Sequence, residues 1–193
     1  RYPCKIHSIN MRELSLNILD VAQNSISAGA SLVEINVIEQ DFDSTLTVEI
    51  KDNGCGMDGE TLKKVQDPFY TTRTTRKVGM GIPLFKMAAE MTGGSFEISS
   101  EVGKGTLVRA VFKTDNIDFT PLGNVDFTIV TLVTMNTAID FIYRFKKNEK
   151  EFVLSTRQLK EILGGVPLSE PEVTVWLKDY LKEQTQIIRG GVI

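Results

Sequence analysis

The chain has 193 residues, 41% of them hydrophobic and 24% charged, with a net charge of −3. That length and apolar content suffice for a packed core, as one large domain or one domain with a small appendage. The acidic balance leaves no basic footprint for nucleic acid, so any phosphate chemistry must be local.

Cys4 and Cys55 form neither a disulfide framework nor a zinc pattern, which suits a reducing compartment. The longest apolar run, residues 127–135, is too short and too rich in threonine to span a bilayer. The expectation is therefore a cytoplasmic protein that binds neither membrane nor nucleic acid. Residues 1–10 differ in character from the rest of the chain and read as a cloning remnant or an ill-ordered extension; they hold His7, the only histidine.

Along residues 11–28 the apolar positions Leu14, Ile18, Val21, Ala22 and Ile26 recur at helical spacing, and Gly29 stands where a capping glycine belongs. Asn17, Asp20 and Asn24 share another face of this helix. A carboxylate and a carboxamide one turn apart suit a water and a hard cation, or equally a solvated polar surface. Leu32–Gln40 alternates as a strand, residues 41–44 turn, and a second strand ends at Asp52. Asp52, Gly54 and Gly56 then stand at D-x-G-x-G spacing, with Met57 next. A carboxylate at a strand end can accept from an exocyclic amine, and glycines let a flat ligand approach; an ordinary Asp-Asn-Gly turn fits the fragment too.

Asp58 can cap a short helix running to about Val65. Residues 71–77 carry hydroxyls and three cations with no apolar side chain, as a phosphate-facing loop or a solvated one would. Gly79-Met80-Gly81-Ile82 closes that loop and opens an apolar helix to Met91, leaving free N–H groups for an anion. Residues 95–100 and 106–112 alternate as strands around a glycine-bearing turn. Beyond Asp115, residues 125–136 are ambiguous between helix and strand, and residues 139–143 and 151–154 read as a second hairpin. Ser155 with Gln158 and Ser169 with Glu172 have capping-box spacing before two helices, residues 156–163 and Pro171–Ile188. Trp176, Leu177, Tyr180 and Leu181 make a bulky stripe on the last helix, more in keeping with core than with a partner site.

Four signals thus stand in order: Asp20 with Asn24; Asp52, Gly54 and Gly56; the run Asp67-Pro68-Phe69-Tyr70-Thr71-Thr72; and Gly79-Met80-Gly81 followed by Gly103-Lys104-Gly105-Thr106. This order resembles the N, G1, F and G2 boxes of the GHKL superfamily, the gyrase, heat-shock chaperone, histidine kinase and MutL ATPases, over roughly residues 12–113. The resemblance implies an α+β two-layer sandwich, the Bergerat ATP-binding fold. Residues 11–114 would form that domain, and residues 115–193 a small C-terminal α+β extension.

It also implies ATP and Mg²⁺ as ligands. Asn24 would hold the metal, Asp52 the adenine amine, Gly54 and Gly56 the face of the base, and Gly79 and Gly81 the phosphates. Thr106 would help hold the adenine through water, and Met57, Met80 and Ile82 would complete the nucleotide contacts. Phe69, Thr71, Thr72, Arg73 and Lys77 would belong to a lid, Lys77 standing where the family's first glycine is usual and able to meet the γ-phosphate. Asp20 replaces a common glutamate by a side chain one methylene shorter and would orient the attacking water.

Fewer than twenty residues precede the first motif, so a conventional autophosphorylating histidine kinase is not expected. Two functions are: a regulatory ATPase or kinase of a protein serine or threonine acting in trans, as in the anti-sigma-factor kinases; and a slow or non-hydrolysing switch that presents a nucleotide-dependent surface to a protein partner.

Overall fold

The computed structural model describes residues 13–67 and 80–190. Of the expected site residues, Phe69, Thr71, Thr72, Arg73, Lys77 and Gly79 lie outside the described residues.

Alternation in the sequence becomes alternation of burial. Strands β1 (Leu32–Gln40) and β2 (Thr45–Asp52) pair antiparallel, and Val33, Ile35 and Val37 lie on the same buried face as Leu46, Val48 and Ile50. Strand β4 (Gly105–Lys113) pairs antiparallel with β2, and β3 (Ser95–Glu101) continues outward from β4. On the other side of β1 lies β5 (Asp140–Lys147), parallel to it, and β6 (Lys150–Ser155) closes the hairpin and the sheet. The order is β3-β4-β2-β1-β5-β6. Two register rows are continuous apolar bands: Val108, Ile50, Ile35, Tyr143 and Leu154 in one, Ala110, Val48, Val37, Phe145 and Phe152 in the other. A one-residue slip anywhere would turn these side chains to solvent.

Helices cover that face. Helix α1 (Leu14–Ser27) buries Leu14, Ile18, Val21 and Ala22, and it contacts α3 (Gly81–Met91) and α4 (Val125–Met135). The short α2 (Gly59–Lys64) is capped by Asp58, whose carboxylate accepts from the Thr61 N–H as its position foretold. Beyond the hairpin, α5 (Thr156–Ile162) packs on β5, and α6 (Pro171–Ile188) on α4, β5 and β6. The molecule is thus a two-layer α+β sandwich, its mixed six-stranded sheet under one helical layer.

Three local outcomes depart from the sequence patterns, and one ambiguity is settled. Helix α1 starts at Leu14, because Glu13 is extended and the Leu14 and Ser15 N–H groups donate to the Pro121 and Leu122 carbonyls, both at 2.9 Å. The ambiguous stretch after Pro121 is helical. Asn124 caps it by accepting from the Phe127 N–H at 3.0 Å, and Val125, Ile129, Leu132 and Val133 fall on one buried face. Neither Ser155 nor Ser169 caps its helix: Ser155 makes no cap hydrogen bond, and Glu170, not Ser169, is the N-cap of α6. The stripe on α6 divides, with Leu177 and Leu181 fully buried while Trp176, half exposed, stacks on Tyr180 at 5.2 Å.

Candidate functional site

The site grows from the end of β2. Asp52 is its last residue, flanked in register by Val33 of β1 and Thr106 of β4, and only 8% exposed. Among the described residues its carboxylate has no cation partner. Instead Oδ2 accepts from the Ser25 hydroxyl at 2.6 Å and Oδ1 from the Gly54 N–H at 2.9 Å, which fix the rotamer and leave lone pairs facing outward. A buried carboxyl group is tolerated only when hydrogen-bonded.

The turn after Asp52 is pinned on both sides. The Asn53 side chain accepts from the Ser31 and Leu32 N–H groups at 2.9 Å each; the Cys55 N–H donates to Ala28 O at 2.9 Å, and Cys55 O accepts from the Gly103 N–H at 2.8 Å. Here the glycines serve the chain's own packing. A Cβ on Gly54 would lie 2.9 Å from the Ala28 carbonyl, and Gly56, at φ +65°, would drive one into the carbonyl of Glu101.

Beside this turn opens a cavity of about 600 Å³. Val21, Asn24, Ser25 and Ala28 of α1 and its cap form one wall, Cys55, Gly56 and Met57 the turn side, and Thr61 and Val65 a third side. Ile82 closes the α3 end, while Asp52, Thr106 and Val108 make the floor. Mostly apolar walls with a few fixed polar groups are the usual make-up of a small-molecule site.

Of the described residues expected at the site, Asn24, Asp52, Gly56, Met57, Ile82 and Thr106 converge on this cavity. Asp20 and Gly81 meet next to it, where a Cβ on Gly81 would come 2.8 Å from the Asp20 Cβ, so the glycine lets the α3 start approach α1. Gly54 supports the turn from behind, and Met80, 44% exposed, precedes α3. Burial pushes the Asp20 carboxyl above its ordinary range, although the residue keeps one side in solvent. The Nδ2 of Asn24 is buried without a hydrogen-bond partner among the described residues, as are both amide atoms of Asn17 one helical flank away.

Ser25 and Ser100 were missed from sequence. Ser25 comes directly after Asn24, and its place on the sheet-facing side of α1 was the available signal. Ser100 could be found only from the strand register, which sets it beside Thr106.

A sheet roofed on one face by helices, with a cavity at a strand end closed by a D-x-G-x-G turn and a helix start, defines a small-molecule-binding α+β domain. The chain belongs to the histidine kinase-, DNA gyrase B- and HSP90-like ATPase family, whose pattern matches residues 7–116. It is 34% identical over 103 residues to a putative sensor protein of Shewanella frigidimarina, covering 52% of this chain and 16% of that protein. To the sensor histidine kinase YxdK of Bacillus subtilis it is 36% identical over 120 residues, covering 58% and 36%. The chain thus spans well under two thirds of the length of these relatives. Among solved structures, the Aquifex aeolicus MutL ATPase domain complexed with ADP aligns with a TM-score of 0.48 at 15% identity, covering 80% of this chain and 70% of that one. Among the described residues no helix is long and apolar enough to cross a membrane.

Proposed function

We propose that this protein binds Mg²⁺-ATP in the cavity beside Asp52 and uses it either to phosphorylate a protein serine or threonine in trans or to hydrolyse it as a regulatory ATPase. The observation that carries the nucleotide reading is Asp52 itself: a buried carboxylate, held by Ser25 and Gly54 rather than by a described cation, on the floor of a cavity of about 600 Å³. Its remaining lone pairs suit the exocyclic amine of adenine, and the apolar walls suit the base.

Asn24 fits the metal role, because its side-chain nitrogen is committed to no acceptor among the described residues and its amide is free to turn the oxygen toward a hard cation. When bound, Mg²⁺ would neutralise phosphate charge. The N–H groups of Gly81 and Ile82 in the first turn of α3, without a side-chain cap among the described residues, suit phosphate, and the family resemblance assigns the lid to residues 69–77. Asp20, its carboxyl raised by burial, is suited to take a proton from a nucleophile.

A second reading, an ATP-dependent switch acting on a protein partner, rests on the start of α1. The helix that carries Asn24 and Asp20 begins on carbonyls of Pro121 and Leu122, so a shift of α1 on nucleotide binding would be felt in residues 115–193.

Titration calorimetry with Asp52→Asn tests the site: ATP affinity should fall ten- to a hundredfold, the range for a hydrogen bond to a charged group. Unchanged affinity would remove the base from this floor. Asn24→Ala should abolish the Mg²⁺ dependence of binding. Labelled ATP, with and without cell extract, separates the functions: label on a specific extract protein supports the kinase, released phosphate alone the ATPase, and tight binding with neither the switch.

A further inference from the structure

Ser100 lies at the edge of the site, in the register row that runs Ser100, Thr106, Asp52, Val33 across β3, β4, β2 and β1. Its hydroxyl makes three contacts: the Met57 N–H donates to it at 2.8 Å, it donates to the Gly105 carbonyl at 2.9 Å, and it lies 2.9 Å from the Thr106 hydroxyl. A serine hydroxyl has one proton and two lone pairs. The proton is committed to Gly105 O, which can only accept, and one lone pair to the Met57 N–H. The contact with Thr106 is therefore a hydrogen bond only if Thr106 donates its own proton to Ser100. Thr106 then keeps lone pairs alone for the cavity that it lines. Beside it the Asp52 carboxylate already accepts hydrogen bonds from Ser25 and Gly54.

We infer that Ser100 is a specificity-positioning residue: by accepting the hydrogen bond of the Thr106 hydroxyl it makes the floor a wall of acceptors. The wall accepts a purine whose facing edge carries an exocyclic amine, or a water donating to it, and repels one carrying a carbonyl oxygen in the same pose. Ser100 itself does not touch the ligand. The same hydroxyl fixes the Met57 end of the glycine turn, so turn geometry and floor polarity depend on one atom.

The inference rests on the adenine-nucleotide reading above, and the test separates the two. ATP and ITP, which differ only in the amine-bearing edge of the base, are titrated calorimetrically against the wild-type chain, Ser100→Ala and Ser100→Thr. Removal of the Ser100 hydroxyl frees Thr106 to rotate and donate, so the ATP:ITP affinity ratio should fall about tenfold in Ser100→Ala, the worth of one hydrogen bond. Ser100→Thr keeps a hydroxyl and should hold the wild-type ratio. A purely structural role for Ser100 lowers both affinities together and leaves the ratio unchanged; that result overturns the inference while leaving the nucleotide site standing. Absence of ATP binding to the wild-type chain overturns both. Should Ser100→Ala fail to give a native circular-dichroism spectrum, Thr106→Val serves instead. With the acceptor gone, the ratio must fall again, and an unchanged ratio there is equally fatal.

Discussion

At the scale of single residues, the site depends on groups that leave no slack. Asp52 is held in a buried setting by the hydrogen bonds that Ser25 and Gly54 donate to it, and Gly56 brings its turn against the β3–β4 connection because it has no side chain. Gly56→Ala should therefore destabilise the fold by about 2 kcal/mol or more, from left-handed backbone strain and the overlap with Glu101 O. Urea denaturation with an unchanged midpoint would show that the turn can shift away. The carboxylate and the glycines were legible in the sequence because a charged residue at the end of an alternating strand is conspicuous. Ser25 was signalled only by its place on the apolar face of α1, where a serine is easily passed over as filler, and the Asn17 amide, buried without a partner among the described residues, could not be told from a solvated polar face before α1 was packed.

At the scale of elements, the contact between α4 and α6 contains a penalty the chain has kept. Asp126, in the first turn of α4, accepts from the Thr185 hydroxyl of α6 at 2.8 Å, and burial raises its carboxyl above the ordinary value while that hydrogen bond and the Arg189 charge pull the other way. A carboxyl raised in the fold binds its proton more tightly there than in the unfolded chain. Its contribution to stability is thus most favourable below the unfolded value near 3.8 and falls as pH rises through the folded one. Asp126→Asn preserves an acceptor for Thr185 and removes the charge. The variant should melt above wild type at pH 7, and the difference should shrink toward pH 3. A variant that melts lower at pH 7 would mean that attraction to Arg189 outweighs desolvation. Helix α6 itself was readable from its start at Pro171 and its apolar spacing, whereas α4 was not, because its threonines and valines suit a strand as well and only the Asn124 cap and three-dimensional burial decide.

At the scale of the whole molecule, the six strands share one sheet and one continuous core, in which Phe141, Tyr143 and Phe145 of β5 stand in register with Val33, Ile35 and Val37 of β1. Deletion of residues 115–193 strips β1 of β5 on one flank and α1 of the carbonyls on which it begins. The truncated chain should aggregate, since it would bare a long apolar edge strand; a monodisperse, ATP-binding fragment in size-exclusion chromatography would contradict this. The strands were legible from alternation, and the two-layer sandwich through the family resemblance that the motif order carries. The parallel placement of β5 beside β1 was not, because a hairpin read from local pattern does not say which distant strand it joins.

That pairing orders events in time. Leu32 must wait for Asp140 to be synthesised, and the search that joins them closes a loop spanning the D-x-G-x-G turn, the glycine-opened α3 and the junction at Pro121. During translation the antiparallel half can zip before β5 exists, so β1 leaves the ribosome with one flank bare, an edge open to pairing with another chain until the parallel seam closes.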